Sequence, residues 1–237
     1  MKNLVKIAAG LGLAALMLTA ACATNPDISP EETAERRARL AAVSLLPDCA
    51  AAQTLTGDRA ERLPDCRFSG VKGLHLILKT DPLDWEMLGP SGFVSISVMD
   101  RQGRPIADFS EVIHGLYVYP QLLDVNGDRR ADLIIPRSTD AVNMVYALWI
   151  QQESGDFLHA GQVTGAEIAW TAGGMIAAAS RTGASDWETA YYRVTGAALQ
   201  ELALVHAAGS QPPRRGGRCE ILRLAPGLEP AGFCAAR

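Results

Sequence analysis

The sequence predicts a mainly β protein, with antiparallel β-sheets in a compact propeller-like or sandwich or barrel domain and one N-terminal helix. Short apolar segments recur along most of the chain, several with a period of two, and Gly-containing turns separate them. A single segment near the N-terminus carries a helix start signal instead. The 237 residues, 48% of them hydrophobic and 20% charged, are typical of a globular chain with a sizeable core.

The predicted helix spans residues 30–46 and is expected to act as a stalk or a lid. Ser29 is a good N-cap, Pro30 suits the first helical position, and Glu32 completes a capping box. A disulfide-closed loop is expected to follow from Cys49 to Arg67.

The strands are predicted from alternation and from turns. Residues 93–99 alternate apolar and polar side chains, which is typical of a half-buried strand, whereas residues 144–150 are apolar on both faces, which predicts a central strand. Gly173-Gly174 and Thr195-Gly196 each separate two apolar runs and predict hairpins. Residues 199–205 also suit a helix by propensity, and we expect a strand there. Further strands are expected at residues 74–78, 106–109, 116–119, 133–135 and 157–160.

The N-terminus reads as an export signal rather than a fold element. Lys2 and Lys6 precede an apolar run, and small residues lead to Cys22. This arrangement resembles the bacterial lipobox, with Thr19 where Leu, Val or Ile is usual. The resemblance implies a signal peptide over residues 1–21, a lipid on Cys22 and a tether over residues 22–29. Ala23 implies sorting to the outer membrane of a Gram-negative cell. The alternative is ordinary cleavage, which leaves a soluble periplasmic protein.

Four further cysteines fit an exported chain, because even numbers of cysteines in such chains form disulfides. Three pairings are possible, and proximity in sequence favours Cys49–Cys66 and Cys219–Cys234. No two of them have the C-x-x-C spacing of a redox or zinc site, so we expect structural bonds.

The body of the chain divides by pattern into three parts. We expect the helix and disulfide loop at residues 30–67, a β-rich domain at residues 68–208, and a disulfide-closed segment at residues 209–237. The net charge of −4, with no basic stripe, excludes a nucleic-acid partner. An envelope protein or a glycan remains a possible partner, beside the membrane that holds the lipid.

One segment carries a candidate metal site. Side-chain oxygens fall at alternate positions on Asp124, Asn126 and Asp128, and again on Asp132, while the carbonyl of Arg130 completes a ring. Ca²⁺ takes six to eight oxygen ligands, and Mg²⁺ demands stricter geometry, so one Ca²⁺ is expected. The alternative is a charged β-turn without metal.

An EF-hand is excluded because position twelve of the loop is Ile135 and not Glu. The pattern Asp-x-Asn-x-Asp-x-x-x-Asp followed by an apolar strand resembles the calcium loop of FG-GAP or VCBS repeats, as in integrin-α-type propellers. Such loops have Gly at position six, whereas this chain has Gly127 at position four and Arg129 at position six. A closed propeller needs several repeats, and the sequence has one clear loop.

No catalytic motif is found, and a non-catalytic binding or interaction module is the preferred interpretation. One alternative is a periplasmic inhibitor or assembly factor, which an exposed apolar patch near Trp85 or Trp187 would favour. A second alternative is a hydrolase with a site near Glu111 and His114, beside Tyr117 and Tyr119.

Overall fold

A computed structural model describes residues 28–56, 62–86, 89–139, 142–170, 174–209 and 219–234. The predicted signal peptide, the Cys22 predicted to carry the lipid and the first part of the predicted tether lie outside the described residues, as do residues 210–218 of the predicted C-terminal segment. No helix in the described ranges is both long and apolar enough to cross a membrane.

Two helices lie at the N-terminal end of the described chain. Helix α1 spans Pro30–Ser44, and the Ser29 hydroxyl accepts a hydrogen bond of 3.1 Å from the backbone N–H of Glu32, as the capping signal predicts. A second helix, α2, spans Cys49–Thr56, so the prediction of a loop throughout Cys49–Arg67 was wrong in its first half. Three consecutive alanines, Ala50 to Ala52, favour this helix by propensity.

The larger sheet has nine strands, in the order β1-β2-β4-β5-β7-β8-β9, with β3 paired to β4 and β6 paired to β7. Its pairs are antiparallel except for one parallel bridge between β5 and β7, at His114 and Ser138. Its strands are β1 Cys66–Phe68, β2 Leu74–Thr80, β3 Asp84–Glu86, β4 Gly89–Asp100, β5 Pro105–His114, β6 Gln121–Leu123, β7 Asp132–Thr139, β8 Met144–Gln151 and β9 Phe157–Gly165.

The smaller sheet has five antiparallel strands in chain order. Its strands are β10 Glu167–Trp170, β11 Met175–Arg181, β12 Asp186–Thr195, β13 Ala198–Ala208 and β14 Glu220–Leu224. Both predicted hairpins are confirmed, as β10–β11 and β12–β13. Strand β13 pairs with a neighbour on each side, and these pairings outweigh the helix propensity of its Ala, Leu, Gln and Glu residues.

The two sheets form a sandwich-like, mainly β fold in which neither sheet closes into a barrel, and the described residues show no propeller. Strand β8 is buried on both faces: Ala147 belongs to the main core of the larger sheet, and Leu148 to a cluster shared with the smaller sheet. The prediction that residues 144–150 form a strand that is apolar on both faces is therefore confirmed, although in the sheet this strand lies second from the edge, between β7 and β9. The shared cluster comprises Val125, Ile134, Leu148, Ile150, Val163, Ile176, Ala178 and Val194.

The remaining faces are covered by the helices and by the C-terminal segment. Val43 of α1 packs on Ile77 and Met99, on one face of the larger sheet. Phe233 packs edge-on against Tyr191 of the smaller sheet, with ring centroids 5.0 Å apart. The disulfides are Cys49–Cys66 and Cys219–Cys234, the pairing that proximity favours.

The strand expected at residues 116–119 was wrong, because the strand in this region is β6, Gln121–Leu123. Pro120 lacks the N–H that a continuous ladder requires. Tyr117 is fully buried instead, and its hydroxyl lies 2.7 Å from the carbonyl of Asp81 and 3.0 Å from that of Phe93. This side chain fixes the loop before β6.

Candidate metal loop

The predicted metal loop is the connection between β6 and β7. Leu123 and Asp132 are partners in this antiparallel pair, so residues 124–131 form the turn between them. A tight connection of this kind directs alternate side chains inward, which brings Asp124, Asn126 and Asp128 into one hydrogen-bonded network.

Asp124 organises the first half of the turn. Its Oδ1 accepts the backbone N–H groups of Gly127 at 2.7 Å and Asp128 at 3.0 Å. Its Oδ2 accepts the N–H of Arg129 at 2.9 Å. Three donors on one carboxylate hold the backbone in a closed curve, which is the local preference that makes Asp frequent in turns.

The backbone at Arg129 has a φ of +67°, in the left-handed region, and Arg129 is the one non-glycine residue with positive φ among those described. Gly127 has a φ of +81°. Position six of the calcium loops that the sequence resembles is normally Gly, and here an arginine adopts the conformation that glycine adopts freely. A residue with a Cβ in this conformation costs roughly 1 kcal/mol or more, so the surrounding hydrogen bonds impose it.

Asp128 and Arg130 form the second half of the turn. The Asp128 Oδ1 accepts the backbone N–H of Arg130 at 2.8 Å. Its Oδ2 accepts two side-chain donors, Nδ2 of Asn126 at 2.8 Å and Nη2 of Arg130 at 2.5 Å. The Oδ1 of Asn126 in turn accepts the N–H of Asp128 at 3.0 Å.

Asp132 is fully buried, with an exposed fraction of 0%. Its Oδ2 accepts the N–H of Val125 at 2.8 Å, and its Oδ1 accepts that of Gln151, on β8, at 2.9 Å. The pKa of Asp132 is raised to about 6, chiefly by burial and in smaller part by the neighbouring carboxylates Asp128 and Asp124, against the opposite effect of the two hydrogen bonds. The loop therefore holds a buried acid in a negative local field.

Sequence reasoning missed Gln151, which ties the loop to the larger sheet through three groups. Its backbone N–H donates a hydrogen bond to Oδ1 of Asp132. Its carbonyl oxygen accepts a hydrogen bond of 3.0 Å from Nε of Arg130, and its side-chain Oε1 accepts one of 3.2 Å from the N–H of Ala131. Only the pairing of β7 with β8 brings it to the loop, and no local pattern signals that.

The other side of the loop faces the smaller sheet. Val125 is buried in the cluster shared by the two sheets. A Cβ placed on Gly174 would lie 3.0 Å from the carbonyl oxygen of Asn126, so the loop backbone rests directly on that glycine. A cavity of about 360 Å³ lies between the loop and the β12–β13 turn. A separate cavity of about 420 Å³ lies elsewhere, between the start of α2 and β6.

The donors of the loop are oxygens of carboxylates, an amide and a carbonyl, and such a set suits a hard cation such as Ca²⁺. The guanidinium of Arg130 forms an ion pair with the carboxylate of Asp128, with Nη2 2.5 Å from Oδ2. No cluster of three or more His, Cys, Asp or Glu side chains suited to a metal occurs within the described ranges. The predicted calcium ligands also include the side chain of Asn126 and the carbonyl of Arg130, and this ligand set stays a prediction.

The structure separates the residues of the predicted hydrolase site. Glu111 is buried and His114 exposed, and three residues apart on β5 they point to opposite faces. Glu111 instead accepts a hydrogen bond of 2.7 Å from Nε1 of Trp149 and pairs with Nε of Arg137 at 3.0 Å. Nε2 of His159 lies 3.9 Å from Oε1 of Glu111. Tyr119 is buried near the loop that Tyr117 fixes.

The two tryptophans considered for a docking patch differ in exposure. Trp85, on the short strand β3, is 65% exposed, whereas Trp187 is 6% exposed and lies in β12 with the Arg181 guanidinium 6.0 Å from its ring. Only Trp85 is therefore available on the surface.

Comparisons with known proteins add one structural likeness. No protein-family model and no curated protein matches the chain. One solved structure, described as that of a Xanthomonas type IV secretion system related protein, aligns with a TM-score of 0.47 and 10% sequence identity. The alignment covers 73% of this chain and 97% of that one.

Proposed function

We propose that this protein is a calcium-binding lipoprotein of the cell envelope, in which a β-rich domain serves as a non-catalytic binding or interaction module. Cys22 carries the lipid, and Asp124, Asn126, Asp128, the Arg130 carbonyl and Asp132 hold one Ca²⁺. The loop belongs, in this proposal, to the FG-GAP or VCBS type. The bound ion has a structural role, because it fixes the connection between β6 and β7.

The observation that carries the proposal is the buried carboxyl of Asp132 beside two further carboxylates, with its pKa raised to about 6. Backbone N–H groups are its direct partners, at Val125 and Gln151. A divalent cation near these oxygens would neutralise the repulsion among the acids and stabilise their ionised forms. The left-handed conformation of Arg129 supports the same proposal, since calcium loops of this type place a positive φ at position six.

The envelope location is supported by the two disulfides, which form and persist in oxidising compartments. The lipid anchor and outer-membrane sorting rest on the sequence around Cys22. A soluble periplasmic form is the alternative, and detection of a diacylglycerol-modified Cys22 by mass spectrometry distinguishes the two.

A second candidate function is that of an inhibitor or assembly factor for an envelope protein. The exposed side chain of Trp85 favours it, because exposed aromatic residues are frequent anchors at protein interfaces. The hydrolase alternative has less support, since Glu111 and His114 lie on opposite faces of β5.

Thermal unfolding of the soluble form, residues 24–237, tests the calcium proposal. A ligand that binds only the folded state at 100 times its Kd stabilises it by about 2.7 kcal/mol, which raises the Tm of a domain of this size by roughly 5–10 °C. We expect this rise on adding Ca²⁺ to the wild type and its loss on chelation.

Two variants complete the test. Asp124→Ala removes the carboxylate that accepts three backbone N–H groups, and its Tm should not respond to Ca²⁺. Asp108→Ala removes an exposed aspartate of β5 outside the loop and should respond as the wild type does. An equal Tm with calcium and with chelator in the wild type contradicts the proposal and leaves a charged turn.

A further inference from the structure

The side chain of Arg130 has no role in the calcium loop as the sequence describes it, since only the backbone carbonyl of this residue is a predicted ligand. In the structure its guanidinium makes two directed contacts. Nη2 donates to the Asp128 Oδ2 at 2.5 Å, and Nε donates to the carbonyl of Gln151 at 3.0 Å. The guanidinium therefore bridges the loop and the end of β8.

These contacts fill both acceptor sites of Asp128 Oδ2, an oxygen of a predicted metal ligand. Oδ1 of Asp128 accepts the N–H of Arg130, while Oδ2 accepts both Asn126 and the guanidinium. Because a carboxylate oxygen offers two lone pairs, the two donors on Oδ2 occupy those that face the turn. A cation that coordinates Oδ2 must displace one of them, and the positively charged donor is also repelled by the ion.

The neighbouring Arg129 provides a contrast within the same loop. It carries the same charge and is exposed, and its observed bond is the backbone N–H to Asp124. The two arginines thus contribute equally to the net charge of the loop, whereas the guanidinium of Arg130 pairs with Asp128.

We infer that Arg130 is an internal cation that competes with Ca²⁺ for Asp128, and so sets the calcium affinity of the loop. In the metal-free protein it neutralises Asp128 and keeps the loop closed. On metal binding the Asp128–Arg130 contact breaks, while the carbonyl of Arg130 stays in the ring. This inference rests on the proposed calcium loop for its biological meaning, although its test does not require that the wild type bind calcium.

The experiment is isothermal titration of CaCl₂ into the purified mature chain and two variants, Arg130→Met and Arg129→Met. Methionine keeps the length of the stem and removes both the charge and the donors. We expect Arg130→Met to bind Ca²⁺ about tenfold more tightly than the wild type, because a unit charge close to a divalent ion is removed. We expect Arg129→Met to change the affinity by less than about threefold, since an exposed charge is screened by solvent.

The outcomes separate this inference from the proposed function. Tighter binding in Arg130→Met alone supports the inference, and it does so even if the wild type shows no binding, in which case the proposed function fails. Binding by the wild type with unchanged or weaker binding in Arg130→Met overturns the inference and leaves the function. Equal tightening in both variants also overturns it, because net charge then explains the effect.

A second measurement keeps the test valid if Arg130→Met does not fold. In the wild type, the NMR signal of the Arg130 Nε–H group should shift during a CaCl₂ titration, while that of Arg129 should stay in place. No shift at Arg130 when calcium saturates the loop overturns the inference. No binding of calcium to the wild type or to Arg130→Met overturns both the inference and the proposed function.

Discussion

Two buried carboxyl groups of the larger sheet, Glu111 and Asp132, are stabilised in different ways. Glu111 faces a guanidinium, that of Arg137 at 3.0 Å, and accepts the indole N–H of Trp149. Asp132 accepts two backbone N–H groups and lies near two further acids. Among the described residues, Glu111 therefore has a counter-charge in direct contact, whereas the direct partners of Asp132 are uncharged backbone groups.

The difference shows which buried carboxylate has its charge balanced within the fold and which one is suited to an external cation. The Glu111 site needs no further ligand, since its charge and its hydrogen bonds are matched within the core. The Asp132 site retains a negative local field, which the ion pair of Arg130 with the neighbouring Asp128 partly offsets. A buried charge without a counter-charge lowers stability, so the binding of a cation should increase stability more at Asp132 than at Glu111.

The largest effect is expected at Glu111. Glu111→Gln leaves the partly exposed Arg137 guanidinium facing an uncharged amide, and breaking a largely buried pair in this way costs about 3 kcal/mol of the free energy of unfolding. Urea unfolding measures it, and the loss should be the same with Ca²⁺ and with chelator. Glu153→Gln, at an exposed position in the β8–β9 turn, is the control and should stay within about 0.5 kcal/mol. A loss that depends on calcium would show that the two sites are coupled and would break the comparison.

A smaller effect is expected from the titration of Asp132. Its pKa is about 6 in the folded protein, above the usual 3.8, so the folded state binds the proton more tightly between about pH 4 and pH 6. The contribution to the free energy of unfolding therefore falls as pH rises through this interval, by on the order of 1–2 kcal/mol. Urea unfolding of the metal-free wild type and of Asp132→Asn across this pH range measures the effect. The free energy of unfolding should fall with rising pH in the wild type and should lack this contribution in Asp132→Asn.

Calcium sharpens that prediction, because a bound cation lowers the pKa of Asp132 and removes the penalty at neutral pH. The gain in stability from Ca²⁺ should therefore be larger at pH 7.5 than at pH 5. Identical pH dependence in the wild type and in Asp132→Asn would mean that this carboxyl titrates near its ordinary value, and the contrast with Glu111 would disappear.

Local patterns predicted much of this fold, and long-range pairing explains what they missed. The cap at Ser29 and the two-faced apolar pattern of β8 are local signals, and both led to the observed elements. The roles of Gln151 and Gly174 depend on strands that meet only in the folded chain. For the same reason, Glu111 was placed with His114, its neighbour in sequence, although pleating turns their side chains apart and β8 supplies Trp149 instead.

The smallest effect concerns the contact between the loop and the smaller sheet. Alanine variants of two glycines, Gly174 and Gly196, test this contact separately from backbone strain. Gly174 and Gly196 have φ angles of +68° and +61°, so alanine at either position costs roughly 1 kcal/mol of stability through backbone strain. A Cβ on Gly174 would lie 3.0 Å from the Asn126 carbonyl oxygen, whereas one on Gly196 would meet nothing within 4 Å. The two variants thus share the strain and differ in the contact with the loop.

We therefore expect Gly174→Ala to have a Tm somewhat below that of Gly196→Ala in chelator, and only Gly174→Ala to weaken the response to Ca²⁺. The reason is that the added methyl group displaces the backbone of Asn126, one of the proposed ligands, by a few tenths of an ångström. Calcium titrations followed by thermal unfolding measure both quantities on the same samples. Equal calcium responses in the two variants would show that the loop forms its site independently of the smaller sheet, and the loop would then be a feature of the β6–β7 hairpin alone.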